Sequence, residues 1–443
     1  MSKRYLQIPL FAAALLSVGL IVTDNALARP LPQRVQTKQL VEGEFSQNLE
    51  AASYFQQGVT RYNRSDFKAA ELAFRRALEF DPSIAMAHYL LGNALFQQNQ
   101  TEQATQAYRI ALSLNPNLAE AYYNLGLSLY RQGNTDAAID QYQRALSLKS
   151  DLAPAYYNMG VAFESQGRIQ EARAQYSEAI RVNPNYAIAQ YNLGLLLARQ
   201  NQTVPAITTL QQAIRSNPNL SQARYQLGIL LVRQGQLQEG SRELKIATEL
   251  DPKFAPAHYV LGVVYNDLGA FNAASKRFQE VITLEPTNVE AYQRLGAALT
   301  QNGKYDQAVT ALQRAVQLKS DDALTYYNLG VALQRDKQYP EAIAQYQQAI
   351  LLNPNLAEAV YNRGIALVQS QQRDQGISAL LEARRLFNQQ GKLNKVNEVD
   401  QYVQKLAEQP TMILPVVEPT LPPVTQPQQP LFPSTTPMNP TRF

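Results

Sequence analysis

Cysteine is absent from the chain, which excludes disulfides, thiol chemistry and a cysteine-borne lipid anchor. Histidine is nearly absent. His88 and His258 lack the neighbouring ligands that a metal site needs, so both read as packing residues and no metal is expected. The twenty glycines build no phosphate-cradling loop, because all except Gly19, Gly43 and Gly391 recur at fixed repeat positions. Clustered positive charge is also missing. The net charge is +4, spread along the chain, which is no electrostatic footprint for nucleic acid. The carboxylates form no pair that stands apart from the repeat pattern, and the segments outside the repeats are too short for a catalytic domain. No active site, cofactor or small-molecule substrate is therefore expected.

What the chain does contain is one 34-residue layout, copied ten times without insertion or deletion from Ala51 to Gln390. With the slots of a copy numbered 1 to 34, slot 8 is glycine in all ten copies, from Gly58 to Gly364. Slot 20 is alanine in eight copies, the exceptions being Gly240 and Gly376. Slot 24 is always Phe, Tyr or Leu, slot 27 is alanine in nine copies, and slot 32 is proline in seven. Slots 4, 7, 8 and 11 fall on one helical face, as do 20, 24 and 27, so each copy reads as two amphipathic helices. Small residues at slots 8 and 20 let the two helices approach closely. Proline at slot 32 ends the second helix, since it pushes its predecessor out of the α region. Asn117 with Glu120, and Asn355 with Glu358, have the spacing of capping boxes for the following helix.

This layout resembles the tetratricopeptide repeat, whose period and L-G, A, F and P markers it shares. The resemblance implies an all-α fold: a right-handed α-solenoid of ten tetratricopeptide helix pairs. One pair cannot bury its apolar face alone, so stacking of neighbours is required. A periodic apolar stripe, Val396, Val399, Val403 and Leu406, places a capping helix at 391–408. Residues 1–28 read as a signal peptide: Lys3 and Arg4, an apolar run too short for a membrane span, then Ala26-Leu27-Ala28. Export to the periplasm or an equivalent compartment is expected, with a membrane anchor as the alternative if the segment is not cleaved. Residues 29–50 read as a linker. Residues 409–443, with ten prolines, read as a disordered or polyproline-like tail.

In the family the first helix of each pair lines the concave side, through slots that include 5, 6 and 13. Slot 5 holds Tyr89, Tyr123, Tyr157, Tyr191, Tyr225 and Tyr259 in six consecutive copies, then Tyr327 and Tyr361 after Gln293. Slot 6 holds Asn124, Asn158 and Asn192, then Asn328 and Asn362; slot 13 holds Arg131, Arg199, Arg233 and Arg335. Tyrosine offers rigid contact area with a polar tip, and asparagine offers a donor and an acceptor suited to peptide backbone. The asparagine row is similar to the ladder of O-linked N-acetylglucosamine transferases. No lysine stands at slot 5, where the family's clamp for chaperone carboxylates has one. Two uses of these rows stay open: contact with an extended peptide or protein segment, or folding of the array itself. The implied function is a non-enzymatic interaction scaffold or assembly factor of the cell envelope, with other proteins as partners. An RNA-binding helical repeat and a regulatory subunit of an envelope enzyme are the alternatives.

Overall fold

A computed structural model describes residues 46–408. Residues 1–28, expected to be a signal peptide, residues 29–45 of the expected linker and the expected 409–443 tail lie outside the described residues. The described part is helical throughout and divides into two compact units, 46–219 and 220–408.

The first unit holds α1 (Leu49–Asn63) with α2 (Phe67–Phe80), α3 (Ala85–Gln97) with α4 (Thr101–Leu114), and α5 (Ala119–Arg131) with α6 (Thr135–Leu148). It continues with α7 (Ala153–Ser165), α8 (Ile169–Val182), α9 (Ala187–Arg199) and α10 (Thr203–Ser216). The second unit begins with α11 (Ser221–Arg233), α12 (Leu237–Leu250), α13 (Ala255–Asp267), α14 (Phe271–Leu284), α15 (Val289–Gln301) and α16 (Tyr305–Leu318). It ends with α17 (Ala323–Arg335), α18 (Tyr339–Leu352), α19 (Ala357–Gln369), α20 (Arg373–Gln389) and α21 (Leu393–Glu408). Within each unit every helix packs on its pair mate and then on the next pair. This is the stacking order of an α-solenoid. The first copy starts inside the expected linker, because Asn48 caps α1 by accepting from the amides of Glu50 and Ala51 at 3.0 and 3.2 Å.

The repeat markers have specific mechanical roles. A Cβ on Gly126 would sit 2.6 Å from the Tyr142 ring, and one on Gly160 would sit 2.7 Å from the Tyr176 ring. Slot 8 is thus the floor on which the slot-24 side chain lies. The two glycines at slot 20 answer a β-branched residue opposite them. A Cβ on Gly240 would lie 2.6 Å from Val232 Cγ2, and one on Gly376 equally close to Val368 Cγ2. Slot 15 takes positive φ in every copy, including Ser65, Asn99, Asn201, Lys337 and Gln371, where no glycine is present. The reason is the helix end: the slot-16 amide turns back to the slot-11 carbonyl, as in Asn134 to Leu129 at 2.9 Å, a Schellman closure that requires a left-handed residue.

The capping boxes do not form. The cap position before α5 is Leu118 and before α19 is Leu356, and neither makes a side-chain cap bond. The reason lies two residues earlier. Asn115 accepts from the Asn117 amide at 3.0 Å, and Asn353 from the Asn355 amide at 3.2 Å, so each turn closes on slot 31 instead. Asp81, Asn183, Asn217 and Asp251 build the same turn around their prolines. Glu120 and Glu358 bond instead to Lys149 at 3.0 Å and Lys392 at 2.6 Å.

Both ends of the array are finished for water. In copies two to four, slots 3, 7 and 10 face the preceding pair and are buried: Ala87, Leu91 and Ala94, then Ala121, Leu125 and Ser128, then Ala155, Met159 and Ala162. In copy one the same slots are Ser53, Gln57 and Thr60, all exposed. At the other end, α21 lays Val396, Val399, Tyr402 and Leu406 over Leu380, Ala383 and Phe387 of α20. Its remaining face is mostly polar, which is what a terminal element needs.

Candidate interaction surface

Alternate first helices approach one another within each unit, α1 with α3 and α3 with α5 in the first, α11 with α13 through to α17 with α19 in the second. Alternate second helices do so less. Each unit therefore curves with its first helices on the inner side, and slots 5, 6 and 13 lie at the seams between them.

The structure spends the tyrosine and asparagine rows inside that seam. Asn124, Asn158, Asn192 and Asn362 each donate an amide N–H to the slot-5 hydroxyl of the preceding copy. The acceptors are Tyr89 at 3.3 Å, Tyr123 at 2.9 Å, Tyr157 at 3.2 Å and Tyr327 at 3.0 Å. The rings in turn pack on the slot-24 aromatics of their own copy, Tyr123 on Tyr142 at 6.0 Å and Tyr157 on Tyr176 at 5.9 Å. Tyr123, Tyr157, Tyr191, Tyr225 and Tyr259 are buried, and Tyr89 is half-buried. Burial drives the phenols of Tyr123, Tyr157 and Tyr191 upward, so they stay protonated and keep their hydroxyls. Of the two uses left open for these rows, the folding one is realised in the geometry. The hydroxyls of Tyr89, Tyr123, Tyr157 and Tyr327 and the amide donors of Asn124, Asn158, Asn192 and Asn362 are already engaged, and they tie copies two to five, and nine to ten, to one another.

Slot 13 forms a second seam with slot 12 of the preceding copy. The Arg131 guanidinium lies 4.0 Å over the Phe96 ring, and Arg199 Nη1 donates to Glu164 Oε1 at 2.6 Å. Gln334 bonds to Gln369 in the same relation at 2.7 Å. Glu164 also accepts from the Tyr176 hydroxyl at 2.7 Å, which makes it the node of a small polar network. Glu164 and Phe96 were not among the candidate residues. The signal that finds them is a partner 35 positions away, one repeat plus one residue.

Copy eight departs from the pattern. Gln293 replaces the slot-5 tyrosine and donates to Asp322 at 2.9 Å and Thr325 at 2.5 Å, while α15 and α17 close in on each other more than other first helices. Arg294 replaces the slot-6 asparagine. Burial opposes its charge, but Tyr259, Glu290 and Asp267 together outweigh that and hold its pKa above the usual value. The Tyr259 hydroxyl itself donates to Glu290 at 2.5 Å. Both histidines serve the turns between copies, with Nε2 3.1 Å from the carbonyls of Pro82 and Pro252. Gln190 bonds the corresponding Pro184 carbonyl at 2.7 Å. Burial lowers the pKa of both rings, which favours their neutral form.

Among the described residues some polar groups on the first helices are left over, Gln369 Nε2 among them. Asn158 Oδ1 and the Tyr191 hydroxyl are buried without a hydrogen-bond partner, as are Nε and Nη2 of Arg233. Ser165, between Arg131 and Arg199 in the slot-13 row, is exposed.

Comparison with known proteins gives a consistent family. The model described as TPR repeat matches residues 92–133, 128–167, 296–337 and 336–371. Two described as tetratricopeptide repeat match 157–221 and 225–289, and 73–106 and 278–310. No curated protein matches the chain. Among solved structures, YrrB, described as a TPR protein with an unusual peptide-binding site, is 29% identical over 42% of this chain and 96% of its own, with a TM-score of 0.38. MamA from Desulfovibrio magneticus RS-1 is 25% identical over 38% of this chain and 96% of its own, TM-score 0.35. The pilF protein of Pseudomonas aeruginosa is 21% identical over 46% and 92%, TM-score 0.42. With the repeat models running along most of the described helices, and with the markers doing the packing work found above, the chain belongs to the tetratricopeptide repeat family.

Proposed function

We propose that this protein is a non-enzymatic scaffold, exported to the cell envelope, that holds an extended segment of a partner protein along the inner side of its first unit. Family membership supports the scaffold reading, and the charged start followed by Ala26-Leu27-Ala28 supports export. The observation that carries the groove is the slot-5 to slot-6 seam. It ties the first helices of copies two to five to one another in sequence through three side-chain hydrogen bonds, which makes a continuous floor of them. Preorganisation of this kind lowers the entropic cost of binding.

The seam also decides how to test the groove. Replacing Asn124, Asn158 and Asn192 by alanine removes hydrogen bonds that hold the fold, so binding and stability would fall together. Ser165→Trp instead places bulk on the exposed slot-13 row; it leaves the slot-5 to slot-6 seam intact and gives up only a hydrogen bond with Tyr130. A photo-crosslinker at Ser165 recovers the partner from the envelope fraction; one at Ser147, exposed on the second helix α6, serves as control. Titration of that partner should show roughly tenfold weaker binding to Ser165→Trp, about 1.4 kcal/mol, with an unchanged melt. Full affinity in Ser165→Trp, or capture only from Ser147, would place the contact elsewhere. Sequencing the N-terminus of the native protein checks export, which a chain beginning at Met1 in the cytoplasm would refute.

A further inference from the structure

The first helices of the first unit are poor in charge. Across α3, α5, α7 and α9 the only Asp, Glu, Lys or Arg residues are Glu120, Arg131, Glu164 and Arg199, against ten on α4, α6, α8 and α10. Each of the four is already engaged within the fold. Glu120 accepts from Lys149 at 3.0 Å, Glu164 accepts from Arg199 at 2.6 Å, and the Arg131 guanidinium lies 4.0 Å over Phe96. On the second helices of the same unit, Arg109, Asp140 and Arg215 stand exposed to water. Slots 2, 6, 9 and 13 of a first helix follow one another at intervals of three and four, so they share one stripe. That stripe is turned away from slots 4, 8 and 11, which meet the second helix, and it faces the inner side. In copies four and five it carries Pro154 and Ile188 at slot 2 and Val161 at slot 9, all half-buried, so each keeps part of an apolar side chain open to water.

We infer that this stripe holds an uncharged segment of the partner, which lays aliphatic or aromatic side chains on Pro154, Val161 and Ile188. The inference rests on the groove reading and adds the chemistry of the segment to it. Charge complementarity decides between occupants. A charged side chain entering the stripe would give up water and find every opposite charge already engaged. An apolar one removes its own surface, and that of the three residues, from water at no electrostatic cost. The second unit carries charge on the same stripe, Asp267, Glu290 and Arg294 among it, so the preference is assigned to the first unit alone.

The probe is a randomised ten-residue peptide library panned on the full chain. Binders are sorted with Ser165→Trp, and those weakened about tenfold or more are the ones seated in the groove of the first unit. Their shared residues should be aliphatic or aromatic, with no position that requires Asp, Glu, Lys or Arg. Exchanging one shared residue for Asp or for Lys should weaken binding about tenfold in either case, whatever the sign of the charge. Affinity should change less than about twofold between roughly 0.05 and 0.5 M salt, and binding should show a negative heat-capacity change. Ile188→Gln should bind these peptides about fivefold more weakly. Val204→Gln, on the outer helix α10 where Val204 is exposed, should bind them as wild type does. Both positions are open to water, so both variants should melt close to wild type. Val161→Thr, a smaller change, repeats the test if Ile188→Gln melts early. Three results would overturn the inference and leave the groove in place: a required charged residue among the Ser165-dependent peptides, an affinity that falls about tenfold with salt, or full affinity in the folded stripe variant. A library with no Ser165-dependent binder would reject the groove reading itself.

Discussion

At the scale of single residues, the slot-24 tyrosines show how a buried hydroxyl is matched. Tyr176 donates to Glu164 and Tyr346 to Gln334, both at 2.7 Å, and Tyr108 donates to Asn93 at 2.9 Å. Tyr142 is equally buried, yet its copy has Leu127 and Tyr130 where the others place an acceptor, and its hydroxyl has no partner. Removing a matched hydroxyl should cost about 0.5–1.5 kcal/mol, whereas removing an unmatched one relieves a desolvation penalty. Tyr142→Phe is therefore expected to leave stability unchanged or raise it, and Tyr176→Phe to lower it. Urea titration of both variants checks this, and equal losses would mean that the Tyr142 hydroxyl is satisfied. The assignment of Asn124, Asn158 and Asn192 follows the same rule. Their donors point to tyrosine hydroxyls, so polarity at slot 6 is first a statement about neighbouring copies.

At the scale of helices, the pair is held by a ring lying on a glycine. Gly160 is buried beneath Tyr176, with the Ala172 carbonyl 3.3 Å from where a Cβ would be. Gly160→Leu must displace the ring, the backbone of α8, or both, at a cost of about 1–3 kcal/mol or more. Because contacts run only between neighbouring helices, the loss of amide protection should centre on α5 to α10 and fade beyond them. Hydrogen exchange resolves this directly, and uniform protection equal to wild type would count against the ring-on-glycine seam. The helix ends follow a similarly local logic. Proline at slot 32 is not essential for stopping the second helix, since α6 and α16 end at the same slot before Lys149 and Lys319, with Ser150 and Ser320 in place of proline.

At the scale of the whole molecule, the ends of the array matter most. The polar residues Ser53, Gln57 and Thr60 leave the leading face unsuited to a further copy, and α21 covers the trailing face. Deleting 391–443 should uncover Leu380, Leu386 and Phe387, which are buried in the intact array. That truncation is expected to associate and to melt earlier, whereas deletion of 409–443 alone should do neither. Light scattering and a thermal melt compare the two. If both behave like the full chain, α21 is not a cap.

The period, the two helices per copy and the roles of slots 8, 20 and 24 were legible in the residues, because each depends on spacing along one helix or across one tight pair. Sequence alone thus determined the fold class and the two helices of each copy, and it placed a further helix after the last copy, where α21 is found. It did not determine what the inner rows do. Whether Asn158 meets a partner or meets Tyr123 depends on how one pair is rotated and shifted against the next, and that relation appears only when helices stack. The same stacking placed Arg131 over Phe96 and gave Arg199 a carboxylate. The capping boxes failed for a related reason: a spacing of three residues fits a box, but the turn around the preceding proline had already engaged the Asn117 amide. Local pattern specifies which face a side chain occupies, and tertiary packing decides which neighbour it finds there.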